Sequence, residues 1–329
     1  MKYRELGSTG ISVSVVAMGC WAIAGDWVWG EQDEQASIAT IRTALDVGVN
    51  FFDTAEFYGD GYSETVLGKG LAGRRHEAVI ASKVGPQHLS SDEVMRACER
   101  SLQRLGTDYI DLYQIHWPNH DIPIAETVGA LETLRGQGKI RAFGVCNFGV
   151  RDLSEFLALS PCAADQLPYS LLWRGIEEPL QPMCVERGVG ILCYSPLAQG
   201  LLTGKFASAD DVPDGRARTR HFSKKRPLTR HGEDGCEAET FASIERIRRI
   251  CARIEAPMAE VALAWAIHQA GVTAVLAGAR TSSQITQNAR AADLELAPEI
   301  VVELAQATDE VKRIMGTNLD QYESESRMR

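Results

Sequence analysis

The sequence predicts a single (β/α)8 barrel that spans residues 1–329. Segments that are typical of strands alternate with amphipathic, helix-like segments from end to end, which gives eight βα repeats. The strands are apolar throughout rather than alternating, as is typical of parallel strands that are covered on both faces. Because no break in composition divides the chain, one barrel fits better than two domains.

The predicted elements follow in chain order. Strands Tyr3–Leu6 and Ile11–Ser14, joined by Gly7-Ser8-Thr9-Gly10, are expected to form a hairpin that plugs the bottom of the barrel. The eight barrel strands are predicted at Val15–Gly19, Phe51–Phe52, Ala78–Ser82, Ile110–His116, Ile140–Val145, Ala163–Gln166, Gly190–Tyr194 and Thr273–Ala277. The helices are predicted at Glu34–Val47, Ser63–Leu71 with Ser63 as its cap, Ser91–Leu105, Ala125–Arg135, Val150–Leu159, Pro179–Arg187, Ser282–Ala292 and, at the C-terminus, Pro298–Arg313.

One long segment, residues 207–236, shows neither the helical nor the strand-like pattern of apolar residues. Its basic side chains are Arg216, Arg218, Arg220, His221, Lys224, Lys225, Arg226 and Arg230. One interpretation is a solvated, flexible loop, and the other is a basic lid over an anionic cofactor. Long loops in compact domains are usually either functional or disordered, so both interpretations stay open.

Composition excludes several classes of function. The chain carries 34 basic and 44 acidic residues, a net charge of −10, which argues against general affinity for nucleic acids or anionic membranes. No apolar run approaches the roughly 20 residues of a membrane helix, and the N-terminus lacks an apolar signal core, so a cytoplasmic protein is expected. The eight cysteines lack CxxC spacing, which favours reduced, buried thiols over disulfides or a metal site.

Polar residues close three successive predicted strands. Asp53 ends the first, with Tyr58 shortly after it, Lys83 ends the second, and His116 ends the third. Each has an ordinary structural explanation by itself, such as a turn cap or a core histidine. Together they lie where barrel active sites are built, at the carboxyl ends of the strands. A buried lysine also needs an acidic partner, and Asp53 is the nearest candidate.

These four residue types suit the reduction of a carbonyl group. As hydride arrives, the carbonyl oxygen gains negative charge and needs a proton, which the Tyr58 phenol can supply. The Lys83 ammonium is expected to lower the pKa of that phenol from its usual value of about 10, with Asp53 holding the lysine in place. His116 can donate a hydrogen bond to the same oxygen. A lyase that forms a Schiff base on Lys83 is disfavoured, because the lysine should be charged and paired.

The segments around these residues resemble the signature segments of the aldo-keto reductase family, in the family's order, from about Leu6 to Ala291. The matching segments are DTAEFYG at 53–59, ASK at 81–83, YQIHWP at 113–118, GVCNF at 144–148, YSPLAQGLLTGK at 194–205 and GAR at 278–280 followed by Asn288. The resemblance is to bacterial members, closer to the channel-β-subunit-like and general-stress branch than to aldose reductases. It implies a catalytic tetrad of Asp53, Tyr58, Lys83 and His116, and a cofactor that binds first and gives hydride from its nicotinamide C4.

The resemblance also implies where that cofactor lies. The nicotinamide end is assigned to Cys146 (where serine is usual), Asn147, Gln166 and Tyr194, with Tyr194 stacking on the ring. The pyrophosphate is assigned to Ser195, Leu197, Gly200, Thr203 and Lys205. The adenosine end is assigned to Arg280, Gln284, Gln287 and Asn288, and Trp21 and Gly278 are also expected to bind the cofactor. Arg280 starts the last helix of the barrel, where amides and a guanidinium suit a 2′-phosphate. NADP is therefore expected, with NAD as the alternative because Gln284 replaces a residue that is often basic in the family.

A literal GxGxxG motif, Gly68 to Gly73, is not taken as a dinucleotide site, because it closes a predicted helix instead of opening one. Aromatic residues are expected to line a pocket for a small carbonyl compound or a sugar: Trp21, Trp29, Phe57 and Trp117, with Trp27, Trp173, Asp26 and Arg174 nearby. The favoured function is an NADP(H)-dependent carbonyl reductase or alcohol dehydrogenase. A sugar dehydrogenase that runs oxidatively and a cofactor-binding regulatory subunit with little turnover remain as alternatives, although an intact tetrad argues against the last.

Overall fold

Eight parallel strands close into a barrel in the computed structural model, which describes residues 1–25 and 28–329. Neighbouring strands pair in chain order, and the last strand pairs with the first, so the predicted (β/α)8 barrel is confirmed. An antiparallel hairpin precedes it, formed by β1 (Tyr3–Glu5) and β2 (Ser12–Ser14). The barrel strands are β3 (Val16–Gly19), β4 (Phe51–Asp53), β5 (Val79–Val84), β6 (Ile110–Ile115), β7 (Ile140–Cys146), β8 (Ala164–Pro168), β9 (Gly190–Tyr194) and β10 (Val272–Gly278).

Helices cover the outside of the barrel. They are α1 (Glu34–Asp46), α2 (Tyr62–Gly70), α3 (Ser91–Leu105), α4 (Ile124–Gly136), α5 (Val150–Leu157), α6 (Leu180–Arg187), α7 (Glu237–Arg253), α8 (Met258–Ile267), α9 (Ser282–Arg290), α10 (Pro298–Gln306) and α11 (Asp309–Met315). Helix α3 has the predicted limits, because Asp92 and Glu93 favour its positive N-terminus and Gly106 takes the left-handed conformation (φ 63°) that ends it. Over the described residues, no helix combines the length and the apolar character that crossing a membrane requires.

Helices α7 and α8 lie between β9 and β10, where the sequence predicted none. Helix α8 is buried at every residue, so it lacks the one-sided apolar pattern that identifies a surface helix. The single C-terminal helix predicted over Pro298–Arg313 is wrong, because the chain breaks after α10 and restarts as α11. At this break the Arg174 guanidinium binds the Ala305 carbonyl oxygen (2.8 Å) and the Asp309 carboxylate (2.8 Å), which satisfies a carbonyl that the ended helix leaves open.

Helix α2 also differs from its prediction, because Gly61 and not Ser63 stands at its cap. The Ser63 hydroxyl instead donates to the Cys20 carbonyl oxygen at 2.8 Å and fixes the helix to the barrel. The GxGxxG segment closes this helix as predicted, since α2 ends at Gly70. All eight cysteines are buried and free.

The hairpin packs into the amino-terminal end of the barrel. Its apolar side chains Leu6, Ile11 and Val13 are buried against inward-facing strand residues. Gly7 takes a positive φ of 56°, and a Cβ there would lie 2.3 Å from the Ala163 carbonyl oxygen, so only glycine fits this turn. The hairpin closes this end, which leaves the opposite end, where the strands finish, as the open mouth.

Residues 207–236 are fixed by ion pairs and buried side chains. The Arg220 Nε lies 2.8 and 3.0 Å from the two Glu233 carboxylate oxygens, and Arg226 lies 2.9 Å from Glu237. His221 is 2% exposed, and its Nε2 lies 2.8 Å from the Leu172 carbonyl oxygen. Acidic neighbours therefore neutralise part of the positive charge that the composition of this segment suggested.

We expect the protein to become less stable as the pH falls from about 6.5 to about 4, in part through His221. Burial lowers the pKa of His221 from 6.5 to about 4, so the unfolded chain binds a proton through this window while the folded chain does not. The free energy of unfolding should therefore fall by about 2–3 kcal/mol from this residue, with no further loss below the folded pKa. Urea midpoints measured across the window for the wild type and for His221→Gln should show a flatter profile in the variant. Parallel profiles would contradict this prediction.

Candidate active site

The four residues of the predicted tetrad meet at the mouth of the barrel. Asp53 ends β4, Lys83 is the last residue but one of β5, and His116 directly follows β6. These strands are neighbours in the barrel, with Asp53 paired to Ala81 and Lys83 to Gln114. Tyr58 lies in the turn between β4 and α2, so its ring returns over the strand ends.

Lys83 uses all three of its ammonium N–H groups within this cluster. The Nζ atom lies 2.7 Å from the Asp53 carboxylate, 2.9 Å from the Thr54 carbonyl oxygen and 3.1 Å from the Tyr58 hydroxyl, and the lysine side chain is fully buried. An ammonium has three donors, so none is left over. Because the phenol oxygen accepts from Lys83, the proton of the Tyr58 hydroxyl must point away from the lysine.

Burial lowers the pKa of Lys83, but the charges of Asp53 and Tyr58 raise it by more, so the lysine stays protonated. The expectation that Lys83 lowers the pKa of Tyr58 overall is wrong for this structure. Burial raises the pKa of Tyr58 above its ordinary value, and the Lys83 ammonium offsets only part of that increase. Tyr58 is therefore a neutral phenol that can donate its proton.

His116 lies beside Tyr58 and is uncharged. The two rings meet edge to face, with 5.6 Å between their centroids. Burial and the nearby Lys83 ammonium together lower the pKa of His116 well below its ordinary value. A neutral imidazole can donate one hydrogen bond without adding a second positive charge to the site.

The residues assigned to the nicotinamide lie on the next strands around the mouth. Gln166 donates from Nε2 to the Asp53 Oδ1 at 2.8 Å, which leaves its own amide oxygen as an acceptor. Asn147 donates to the His116 carbonyl oxygen (3.0 Å) and accepts from the Tyr194 hydroxyl (2.9 Å). Cys146 is fully buried, and burial raises the pKa of its thiol well above the ordinary value. The side-chain amides of Gln166 and Asn147 therefore link the tetrad to the position assigned to the carboxamide of the nicotinamide.

Residues 195–203 form a cradle of unusual backbone after β9. Positive φ angles occur at Ser195 (51°), Ala198 (45°), Gln199 (54°) and Gly200 (100°). A side chain at Gly200 would come within 3.2 Å of the Lys205 Nζ, so the glycine keeps backbone and ammonium close together. Successive backbone turns of this kind make concave sites for anions. Within the same segment Leu197 is partly buried, and the exposed Thr203 donates from its hydroxyl to the Gly200 carbonyl oxygen at 2.8 Å.

Three cations gather beside the cradle. Burial lowers the pKa of Lys205, and the charge of Arg216 lowers it further; burial and the charge of Arg280 act in the same way on Arg216. Within residues 1–25 and 28–329, none of the three forms an ion pair with a carboxylate. Cations that repel one another without an acidic partner fit a group that carries several negative charges.

The residues assigned to the adenosine end lie at the start of α9 and within it. Arg280 donates from Nε to the Gln32 Oε1 (2.7 Å) and from Nη1 to the Trp29 carbonyl oxygen (2.8 Å), and Nη2 donates to the Glu31 carbonyl oxygen. A guanidinium has five N–H groups, so two remain for a phosphate. Gln284 accepts from the Arg280 amide at 2.8 Å. Gln287 is exposed, while Asn288 is buried and donates to the carbonyl oxygen of Gly278 at 3.3 Å.

Aromatic side chains surround the open side of the tetrad. Trp21 stacks on Tyr58, with 5.7 Å between ring centroids and 18° between the planes, and Trp29 meets Trp21 edge to face at 5.6 Å. Phe57 is 69% exposed and lies 6.4 Å from His116 between ring centroids. Trp117 directly follows His116 in the chain. All four aromatic residues assigned to the substrate pocket therefore lie at or beside the tetrad.

Two residues that were expected near this pocket lie elsewhere. Trp173 is 2% exposed and packs in a separate core cluster with Cys236, Val311 and Met315. Arg174 is committed to Glu177 and Asp309. Their position in the loop after β8 suggested the mouth, but apolar burial and ion pairing direct them into the packing of α11. Asp26 and Trp27, also named for the pocket, lie outside the described residues.

Three further side chains lie at the mouth, and sequence reasoning missed two of them. The Arg216 guanidinium carbon lies 5.3 Å from the ring centroid of Trp29, which places this arginine of the basic segment among the three cations. Tyr322 accepts a hydrogen bond from Gln199 at 2.8 Å, and the guanidinium of Arg327 covers the ring of Trp117 at 3.7 Å. The composition of the basic segment pointed to Arg216. The last two lie in a polar tail with no periodic pattern, so no sequence signal could have found them.

Curated relatives resemble the chain along most of its length. The NADH-specific methylglyoxal reductase of Escherichia coli is 35% identical over 320 residues, which cover 90% of this chain and 95% of that protein. A probable voltage-gated potassium channel subunit beta of Oryza sativa is 30% identical over 320 residues, covering 92% and 94%. These relatives agree with the predicted position of the chain near the channel-subunit branch.

Solved structures share the fold. The glycerol dehydrogenase AKR11B4 of Gluconobacter oxydans matches with a TM-score of 0.80 at 30% identity, covering 96% of each chain. An aldo-keto reductase of Klebsiella pneumoniae in complex with NADPH matches with a TM-score of 0.74 at 30% identity, covering 93% of this chain and 95% of that one. The family model described as "Aldo/keto reductase family" matches residues 15–309. The chain belongs to the aldo/keto reductase family.

Proposed function

We propose that the protein is an NADP(H)-dependent oxidoreductase that interconverts a small carbonyl compound and its alcohol, with Tyr58 as the general acid and base. The observation that carries this proposal is the position of the Tyr58 hydroxyl, whose oxygen accepts the third N–H of Lys83 at 3.1 Å and whose ring meets the His116 ring edge to face at 5.6 Å between centroids. Membership of the aldo/keto reductase family supports the same reaction class.

The reaction assigns one task to each side chain. When it is bound, the reduced cofactor supplies the hydride. Tyr58 donates its proton to the carbonyl oxygen, and neutral His116 donates a hydrogen bond that orients this oxygen. Lys83, held by Asp53 at 2.7 Å, stabilises the phenolate that remains.

Tyr58 can serve both directions of the reaction, because the phenol that donates a proton in reduction is the group that accepts one in oxidation. The second candidate function is oxidation of an alcohol, for example by a sugar dehydrogenase, because one of the similar solved structures is named a glycerol dehydrogenase. The complete tetrad argues against a regulatory subunit with little turnover, which the name of the rice relative would otherwise suggest.

The cofactor proposal depends on the cations. Lys205 and the cradle at 195–203 hold the pyrophosphate of the cofactor, and Arg216 and Arg280 hold its 2′-phosphate. Residues 207–236 form a lid over the cofactor, and Arg216 is the residue of this lid that enters the site. Trp21, Asn147, Gln166 and Tyr194 surround the nicotinamide, and the adenosine contacts Gln284, Gln287 and Asn288. The NADPH complex of the Klebsiella relative supports NADP, and the NADH-specific Escherichia coli relative keeps NAD as the alternative.

The test compares NADPH with NADH on a panel of small aldehydes, ketones and sugars, for the wild type and for Arg280→Ala. The variant should raise the KM for NADPH about tenfold and the KM for NADH less than about twofold, because only NADPH carries the 2′-phosphate. Arg42→Ala, which changes an exposed arginine of α1, is the matched control. An equal change for the two cofactors contradicts the 2′-phosphate assignment, and a wild type that reduces no carbonyl on the panel with either cofactor contradicts the proposed function.

A further inference from the structure

We propose that Asp165 is a positioning residue for the nicotinamide half of the cofactor site, and that it holds the turn after β7 in the shape that aims Asn147 at the carboxamide. Ala164 and Gln166 face the inside of the barrel, so Asp165 between them faces outward, toward the helices. It therefore acts through the turn and touches neither cofactor nor substrate. The inference rests on the proposed function, because Asn147 and Gln166 are assigned to the nicotinamide there.

Asp165 is a buried carboxyl group without a partner. Its exposed fraction is 0%, and no protein donor reaches either of its oxygens with the geometry of a hydrogen bond. Buried polar side chains in folded proteins nearly always have such a partner. An unsatisfied one costs stability, so the presence of Asp165 directly before a residue of the cofactor site requires an explanation.

The surroundings of Asp165 keep it uncharged. The titratable groups that face it are all acids, namely the thiols of Cys146 on β7, Cys162 before β8 and Cys184 on α6, and the carboxyl group of Asp152 on α5. Burial raises the pKa of Asp165 well above its ordinary value, and the Phe148 backbone amide offsets only part of that increase. A neutral carboxyl group can still accept a hydrogen bond from an amide.

The Phe148 amide belongs to the turn that presents Asn147. Asn147 takes a φ of 60°, in the left-handed region that few residues other than glycine adopt. Two consecutive residues of β8 bracket this unusual conformation. The Gln166 carbonyl oxygen accepts from the Asn147 amide at 3.0 Å, and the Asp165 carboxyl group faces the next amide along the chain. One strand therefore holds the turn on both sides of Asn147.

The conformation of this turn determines where the Asn147 side chain points. Its Nδ2 donates to the His116 carbonyl oxygen at 3.0 Å, and its Oδ1 accepts from the Tyr194 hydroxyl at 2.9 Å. A turn that relaxed to an ordinary φ would draw the amide away from both partners. The loss would be confined to the nicotinamide half, because the residues assigned to the adenosine lie on a separate element, α9.

Asp165→Ala tests this role by binding alone. The two probes are NADPH and adenosine 2′,5′-bisphosphate, which carries the adenosine and the 2′-phosphate but no nicotinamide. The Kd for NADPH should rise about tenfold and the Kd for the bisphosphate less than about twofold, because the Phe148 amide loses the carboxyl group that faces it. Asp165→Asn keeps a carbonyl oxygen for that amide, so its Kd for NADPH should stay within about twofold of the wild-type value.

Cys184→Ala is the packing control. Cys184 is 0% exposed and faces Asp165, so this truncation loosens the same region without changing a polar group at the turn. Both of its Kd values should stay within about twofold of the wild type. The positioning role is overturned if Asp165→Ala binds NADPH as tightly as the wild type, or if it weakens both probes equally. If Asp165→Ala does not fold, Asp165→Val fills more of the space and gives the same comparison.

The uncharged state of Asp165 has a test of its own. An aspartate in the unfolded chain has a pKa of about 3.9, and the pKa in the folded protein is raised, so the wild type loses stability as the pH rises through the interval between them. The urea midpoint of the wild type should therefore fall relative to that of Asp165→Asn between pH 5 and pH 7. Parallel midpoints overturn the neutral acid. A wild type that binds NADPH but reduces no carbonyl compound overturns the proposed function, whereas the binding and unfolding measurements judge Asp165 separately.

Discussion

Replacement of Tyr58 by phenylalanine is expected to lower kcat/KM for carbonyl reduction about 10²–10⁴-fold, the range that a general acid contributes, while the Kd for NADPH changes less than about twofold. The substitution removes the hydroxyl and keeps the ring that Trp21 stacks on at 5.7 Å. The hydride donor would still bind, but the developing oxyanion would have no proton donor. Single-turnover kinetics and a fluorescence titration with NADPH measure the two quantities separately.

The matched control is Tyr62→Phe. Tyr62 lies four residues further along the chain, and its hydroxyl donates to Glu34 at 2.9 Å at the protein surface, away from the tetrad. The Tyr62→Phe variant loses the same hydroxyl oxygen, but at a position away from the tetrad. Its turnover should therefore remain within about twofold of the wild type. If Tyr58→Phe kept most of the activity, or if both variants lost it equally, Tyr58 would not be the acid.

The tetrad was predictable from the sequence because parallel strands that are apolar throughout fix where a polar residue can stand. Asp53, Lys83 and His116 close their strands at the one end of the barrel that stays open. The family motifs identified Tyr58, which a strand pattern alone would have left in a turn. The N-terminal hairpin was equally predictable from the sequence, because two short strands around a glycine-containing turn have a distinctive pattern.

Other features depend on burial, which a single sequence does not show. Helix α8 was missed because it is buried on all sides and lacks a polar face. The direction of the Tyr58 pKa was wrong because burial outweighs the lysine that the motif places beside it. Trp173 was assigned to the mouth from its place after β8, whereas its 2% exposure results from packing against α11. Residues 317–329 are polar and aperiodic, so their contacts with Trp117 and Asp152 follow only from tertiary structure.

The ion pair between Lys83 and Asp53 gives the second large effect, and it separates stability from chemistry. Lys83→Met should lower the free energy of unfolding by about 3–5 kcal/mol, because a buried carboxylate then loses its positive partner. Gln166 would still donate to one Asp53 oxygen at 2.8 Å, but the oxygen that Lys83 holds would have no donor. Urea midpoints measure this loss.

The double variant Asp53→Asn/Lys83→Met should recover more than half of the lost stability, because it removes both buried charges and so leaves no carboxylate without its positive partner. It should recover none of the turnover, since no ammonium would remain to stabilise the Tyr58 phenolate after proton transfer. A comparison of Lys83→Met with the double variant would then show a change in stability without a change in turnover. A double variant as unstable as Lys83→Met would mean that the lysine acts by packing alone, and a double variant with restored turnover would mean that the phenol needs no cation beside it.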